Sequence, residues 1–221
     1  MGRADQFKGK AASPVQAVLE WKAKESDGFF SVYDKEQGNI PVKELSFTLL
    51  GQRNCINGYY ARENTGAWSN EVEDMNEPMV VMYKKDGKVN KLAEGVYKDI
   101  KPTTESIGLK FHKAIYALVY SSDQVADFTI VKIMLKGAAS YAWSTFVKSG
   151  GAVGGIKFSG VEVGQNGAVR YKVPVFEAEE LSAQVDEEAE LAYEQVMAYF
   201  SNDAHATHEE PAEQDEDNIP F

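Results

Sequence analysis

The chain has 221 residues, 43% of them hydrophobic, enough for a sizeable core in one large domain or two small ones. No run reaches the ~18 consecutive apolar residues of a transmembrane helix, and the N-terminal stretch MGRADQFKGKAASPV lacks the apolar centre of a signal peptide, so a soluble, cytoplasmic protein is expected. The net charge of −11 argues against nucleic acid only until it is divided along the chain: residues 177–221 hold 15 of the 34 acids and none of the 23 cations, leaving a mildly basic body, 23 cations against 19 acids, with an acidic arm.

Residues 1–14 are poor in large apolar side chains and read as a flexible arm with Arg3, Lys8 and Lys10 on it. From Val15 the pattern becomes that of a strand, with Val15, Ala17, Leu19 and Trp21 alternating with more polar neighbours. Ser26-Asp27-Gly28 turns the chain and Phe29 to Tyr33 returns it, which predicts a hairpin.

Lys43 to Arg62 opens with Leu45, Phe47 and Leu49 on one face and Ser46 and Thr48 on the other, a strand with one face on a core. Its continuation depends on Gly51. If the register survives, Gln52, Asn54, Gly58, Tyr60 and Arg62 face outward with Ile56 as a misfit. If Gly51 marks a bulge, the faces exchange and Arg53, Asn57 and Tyr59 are outward.

Residues 63–77 read as a loop carrying Trp68, and Pro78 to Tyr83 as a strand that turns at Asp86-Gly87 among Lys84, Lys85, Lys88 and Lys91. A polar connection around Pro102 then leads to Phe111–Tyr120 and Phe128–Leu135, too apolar on both faces for edge strands. In Gly137–Lys148 the spacing of Ala139, Ala142, Trp143 and Phe146 predicts a short helix with Trp143 in the core. A last hairpin follows, Ile156–Val163 and Ala168–Phe176, whose Pro174 marks a sheet edge. Glu179 to Phe200 should be helical, with Leu181, Val185, Ala189, Ala192, Val196 and Tyr199 as its apolar stripe. Packing on the body is the expected use of that stripe, and a homo-oligomer is its alternative.

Catalytic chemistry is scarce. Of the three histidines, His205 and His208 lie in the acidic arm and only His112 in the body. Gly150–Gly155 lacks the Lys-Ser/Thr that would make it a phosphate loop. Glu71, Glu73, Asp74 and Glu77 read as a solvated loop, so no metal and no cofactor is expected. Cys55 is the single cysteine, which excludes an internal disulfide and suits a reducing compartment.

The arm ends differently from how it begins. Residues 202–221 are acidic and without Lys or Arg, too polar to fold alone, yet they finish in Ile219, Pro220 and Phe221. A rigid proline before an aromatic suits insertion into a small apolar pocket with a basic rim on a partner. Asp215-Glu216-Asp217-Asn218-Ile219-Pro220-Phe221 resembles the acidic tip of bacterial-type single-stranded DNA-binding proteins, a run of acids followed by Ile-Pro-Phe. The resemblance covers those seven residues only, which points to a diverged, bacteriophage-type member. It implies that the tip recruits replication, recombination or repair proteins, and that the acidic arm competes with DNA for a basic groove.

The body allows the same function. Several strands and a short helix suit a mainly β, OB-like barrel with additional hairpins and a C-terminal helix, a fold that stacks bases on aromatics beside cations. The expected organisation is an arm over 1–14, an OB-like domain over 15–176, a helix over 177–201 and an acidic tail over 202–221. Tyr59, Tyr60 and Trp68, with Arg53, Arg62, Lys84 and Lys85, are the candidate DNA-binding residues. The expectation is a non-catalytic single-stranded DNA-binding protein. Its rivals are a strand-annealing or recombination-mediator protein, an adaptor acting through its tail alone, and, more distantly, a metal-dependent nuclease using Glu71 or Asp74.

Overall fold

The computed structural model describes residues 12–23, 28–167 and 169–203. The acidic tip, Asp215 to Phe221, and the histidines His205 and His208 lie outside the described residues.

The chain is mainly β. Its strands are β1 (Ala17–Lys22), β2 (Phe29–Asp34), β3 (Gly38–Val42), β4 (Leu45–Tyr60), β5 (Thr65–Ser69), β6 (Pro78–Lys85), β7 (Lys88–Val96), β8 (Lys110–Ser122), β9 (Thr129–Lys136), β10 (Gly155–Asn166) and β11 (Val169–Glu179). The helices are α1 (Tyr97–Ser106), α2 (Ala138–Lys148) and α3 (Ala183–Asp203). The strands form one mixed sheet in the order β3-β2-β1-β9-β8-β4-β5-β6-β7, to which the β10–β11 hairpin attaches through β4. β1 and β9 run parallel, the other pairs antiparallel, and the sheet is not closed.

The mainly β class, the extra hairpins, the short helix and the C-terminal helix are as expected. Two local readings need correction. Trp68 lies on the short strand β5 inside the stretch read as a loop, paired with Asn57 of β4 and Met82 of β6. The segment around Pro102 is α1: Pro102 is the sixth of its ten residues, so the helix lacks the hydrogen bond to the Lys98 carbonyl, and it is held by the burial of its own Ile100 and Thr104. The strand β3 and the longer course of β10 and β11 are further additions, because backbone pairing carried these polar segments into the sheet.

Two packed layers give the sheet its sides. On one side Trp143 and Ala139 of α2 meet Phe47, Ile115, Val131 and Ile133, closed by Phe158 and Phe176 of the hairpin. Trp143 is fully buried, packs against Phe176 with ring centroids 5.2 Å apart, and donates its indole N–H to Gln52 Oε1 at 3.2 Å. On the other side α3 buries Ala192, Val196 and Phe200 against Leu50, Cys55, Ala114, Tyr116 and Leu118. The apolar stripe of this helix thus packs on the body, though the helix begins at Ala183, beyond Leu181. A third cluster, Ile56, Tyr60, Val72, Met79, Val81 and Ile100, lies beyond the α2 layer beneath α1.

β4 passes between these layers and changes its facing once. Its pairing with β8 shifts between Leu49 and Gly51, so Leu50 is an extra residue. Before the shift Leu45 and Phe47 face α2; after it Gln52 does so, while Arg53 and Cys55 face α3. This is the exchange of faces that a bulge imposes, and it moves Ile56 to the buried side. Gly51 suits the α3 side, because a Cβ there would lie 3.0 Å from the Phe200 ring, which would have to give by a few tenths of an ångström.

Candidate nucleic-acid interface

The bulge decides which residues of the second half of β4 share a face. Past Arg53 and Cys55, the α3 side of β4 continues through Asn57 and Tyr59. Cross-strand partners share a face, so Asn57 brings Lys110 of β8 and Trp68 of β5 alongside, and Trp68 brings Met82 of β6. Met82 in turn pairs with Lys91 of β7, and Lys84, two residues along β6, points the same way. Tyr59, Trp68, Asn57, Lys84, Lys91 and Lys110 therefore line one sheet surface.

α3 stops short of it. It packs mainly on β4 and β8, with Ile130 and Met134 of β9 in the same cluster, and Phe200, in the last full turn, sits over Gly51 and Arg53. On the surface beyond, Tyr59 is 36% exposed and Trp68 partly buried. The Tyr59 hydroxyl donates to Asn64 Oδ1, which holds the ring at the strand end. The Trp68 indole N–H has no hydrogen-bond partner among the described residues. Lys91 is paired with Glu94 at 2.6 Å, an exposed ion pair that a phosphate would have to displace; an aromatic pair flanked by lysines can stack unpaired bases and neutralise phosphates.

The other candidate residues are elsewhere. Tyr60 is 6% exposed and packs edge-on against Tyr83 in the cluster beneath α1, because the bulge turns it inward; it is not available for stacking. Arg53 is largely buried, with its guanidinium 3.9 Å from the centre of the Phe200 ring and 3.3 Å from Glu73. It fixes the end of α3 rather than standing free beside Tyr59. Arg62 is exposed in the turn after β4, and Lys85, exposed at the end of β6, pairs with Glu63 at 2.6 Å. That pairing holds the Lys85 ammonium above the usual lysine range. Asn57 and Lys110 were not among the candidates, and Lys91 was noted only as part of a hairpin tip. The glycine-marked bulge was the available signal for Asn57.

The acidic loop is engaged internally. Glu71 accepts the Tyr116 hydroxyl at 2.7 Å and lies 3.1 Å from the Lys132 ammonium, and Glu77 accepts the Asp74 amide at 2.7 Å. Among the described residues no cluster of three His, Cys, Asp or Glu side chains is placed to hold a metal ion, and no helix is long and apolar enough to cross a membrane.

His112 sits beneath this region, paired with Cys55 and with Lys136, the last residue of β9. Burial, and then the Lys136 charge, lower its pKa against the opposing hydrogen bond to the Lys110 carbonyl and the Glu20 charge. A histidine held neutral in the fold takes up its proton more readily when unfolded. Stability should therefore fall as pH drops below the unfolded value of about 6.5. Urea unfolding at about pH 7.5 and 5.5 should show a larger loss for the wild type than for His112→Gln; equal losses would assign the pH dependence to other groups.

No family model, curated protein or solved structure matches the chain.

Proposed function

We propose that this chain is a non-catalytic single-stranded DNA-binding protein. The observation that carries the reading is the grouping of Tyr59 and Trp68 with Lys84, Lys91 and Lys110 on one sheet surface that α3 leaves uncovered. Bases stack on the two rings, and the lysines contact phosphates. The acidic tip, Asp215 to Phe221, supplies the second half of the function by recruiting replication, recombination or repair proteins, in a cytoplasmic, phage-type setting.

The charge division supports a further element of the reading. α3 and the residues after it carry acids and no cations, and the helix ends over Arg53, on the same side of β4 as Asn57 and Tyr59. In this reading the acidic chain beyond the helix competes with DNA for the lysines.

Fluorescence anisotropy of a labelled oligo-dT tests this directly, at two salt concentrations, with the full chain and with a form ending at Asn202. Both forms should bind in a salt-sensitive manner, the shortened form more tightly. Absence of binding by either would leave an adaptor acting through its tail. Acceleration of complementary-strand pairing would instead favour the annealing reading.

A further inference from the structure

A second basic feature lies at the end of the sheet, away from the two rings. β8 begins and β9 ends there, and the lysines of the aromatic surface continue across it: Lys110 pairs with Asn57, and His112, two residues on, pairs with Lys136. Trp68 and Lys136 stand on strands separated by β4 and β8, a lateral distance of roughly 14 Å at ordinary strand spacing.

Beyond Lys136 the surface turns into a cavity of about 490 Å³, lined by Ala23, Lys136, Gly137, Ala139, Tyr171 and Lys172 among others. It lies between the end of β9, the start of α2 and the β10–β11 ribbon. No acidic side chain among the described residues lines it. Among the described residues, neither Lys136 nor Lys172 belongs to an ion pair.

The ribbon is built to overhang this place. β10 pairs with β4 from Gly155 to Lys157, and among the described residues the rest of the hairpin has no third strand beside it. The side of β11 that puts Phe176 into the core runs on, by strand alternation, through Pro174 to Lys172 and exposed Arg170. The Trp21 indole N–H donates to the Lys172 carbonyl at 3.2 Å, which anchors this part of the ribbon to β1.

We propose that a strand held on the aromatic surface continues over the sheet end into this cavity, where Lys136 and Lys172 bind its phosphates as a second, sequence-independent subsite. The inference rests on the DNA-binding reading above. It commits to nucleic-acid backbone as the occupant because the cavity offers two cations from separate elements, no acid among the described residues that line it, and continuity with the lysine row of the first surface; Glu20, which also feels the Lys136 charge, lies outside that lining. A strand too short to leave the aromatic surface does not reach it.

The test uses the full chain, wild type and Lys136→Gln/Lys172→Gln, with oligo-dT of roughly 3 nucleotides, whose two steps of about 3.4 Å fall short of the gap from Trp68 to Lys136, and of roughly 20, which exceeds it. Among the described residues neither substitution removes a side-chain hydrogen bond, since the Trp21 contact is to the Lys172 backbone; matched unfolding midpoints establish that the variant is folded. The variant should bind the short oligonucleotide as the wild type does. For the long one, log affinity against log salt should become shallower by about 1.4, the loss of two phosphate contacts on a single strand. If long and short oligonucleotides are both unaffected, or both weakened equally, the second subsite is overturned and the first surface stands. If wild type binds neither, the DNA-binding reading itself falls, and this inference with it.

Discussion

Replacing Trp68 by alanine should weaken oligo-dT binding by about 1–3 kcal/mol, and replacing Tyr59 should do the same, because in the proposed function each ring is one stacking platform. Trp68 carries the sharper prediction. It is central to the surface, with Asn57 on one neighbouring strand and Met82 on the other, and Lys84 and Lys91 lie on its far side. Trp68→Phe keeps a stacking face and should recover most of the affinity, whereas a leucine of comparable bulk should not. Tyr60→Ala is the contrast: its ring is packed against Tyr83 on the opposite side of β4, so its loss should lower stability and leave the affinity of the folded protein nearly unchanged. Anisotropy titrations beside urea unfolding curves separate these outcomes. Equal effects of Tyr60→Ala and Trp68→Ala on affinity would place the binding surface elsewhere.

The largest stability loss is expected at Trp143. This fully buried side chain joins three elements, touching Phe146 on its own helix α2, Phe176 on β11 and Phe47 on β4. Its truncation to alanine should cost about 3–5 kcal/mol, a large fraction of the stability of an ordinary domain. Gln52 would also lose the partner of its side-chain oxygen. Trp143→Phe keeps most of the volume and should cost less, the remainder reflecting the lost hydrogen bond and the unfilled space. The midpoint of urea unfolding reads both. A loss below ~1 kcal/mol for the alanine variant would mean that α2 is not part of the cooperative core.

The extent to which the fold was legible follows from how local its signals are. Leu45, Phe47 and Leu49 alternate, and the apolar runs of β8 and β9 have no polar face, so a half-buried strand and two central strands were readable from spacing alone. The α2 spacing placed Trp143 correctly in the core, and Pro174 marked β11 as a strand paired on one side only. α1 was missed because its sequence, YKDIKPTTES, contains a proline and little apolar pattern. What holds it as a helix is the burial of its own Ile100 among Ile56, Met79 and Val81, a long-range contact. β5 was missed for the same reason: TGAWS is short and is held by neighbours on both sides.

The candidate site was half legible. Its residue types, two aromatics among lysines, were visible in the sequence, and so were both registers of β4. Choosing between them required the tertiary structure.

By itself, then, the sequence determined the division into a basic body and an acidic arm, the mainly β class, the amphipathic C-terminal helix and the seven-residue acidic tip, because composition, charge and short-period patterning are local properties. Only the tertiary structure decided which aromatics and cations meet. A bulge inserts one residue and reverses every side chain beyond it, and whether it forms depends on β8 pairing alongside and on Phe200 of a distant helix needing the space that Gly51 leaves. That single step sent Tyr60 inward and set Tyr59 beside Trp68, a juxtaposition between strands that no spacing along the chain encodes.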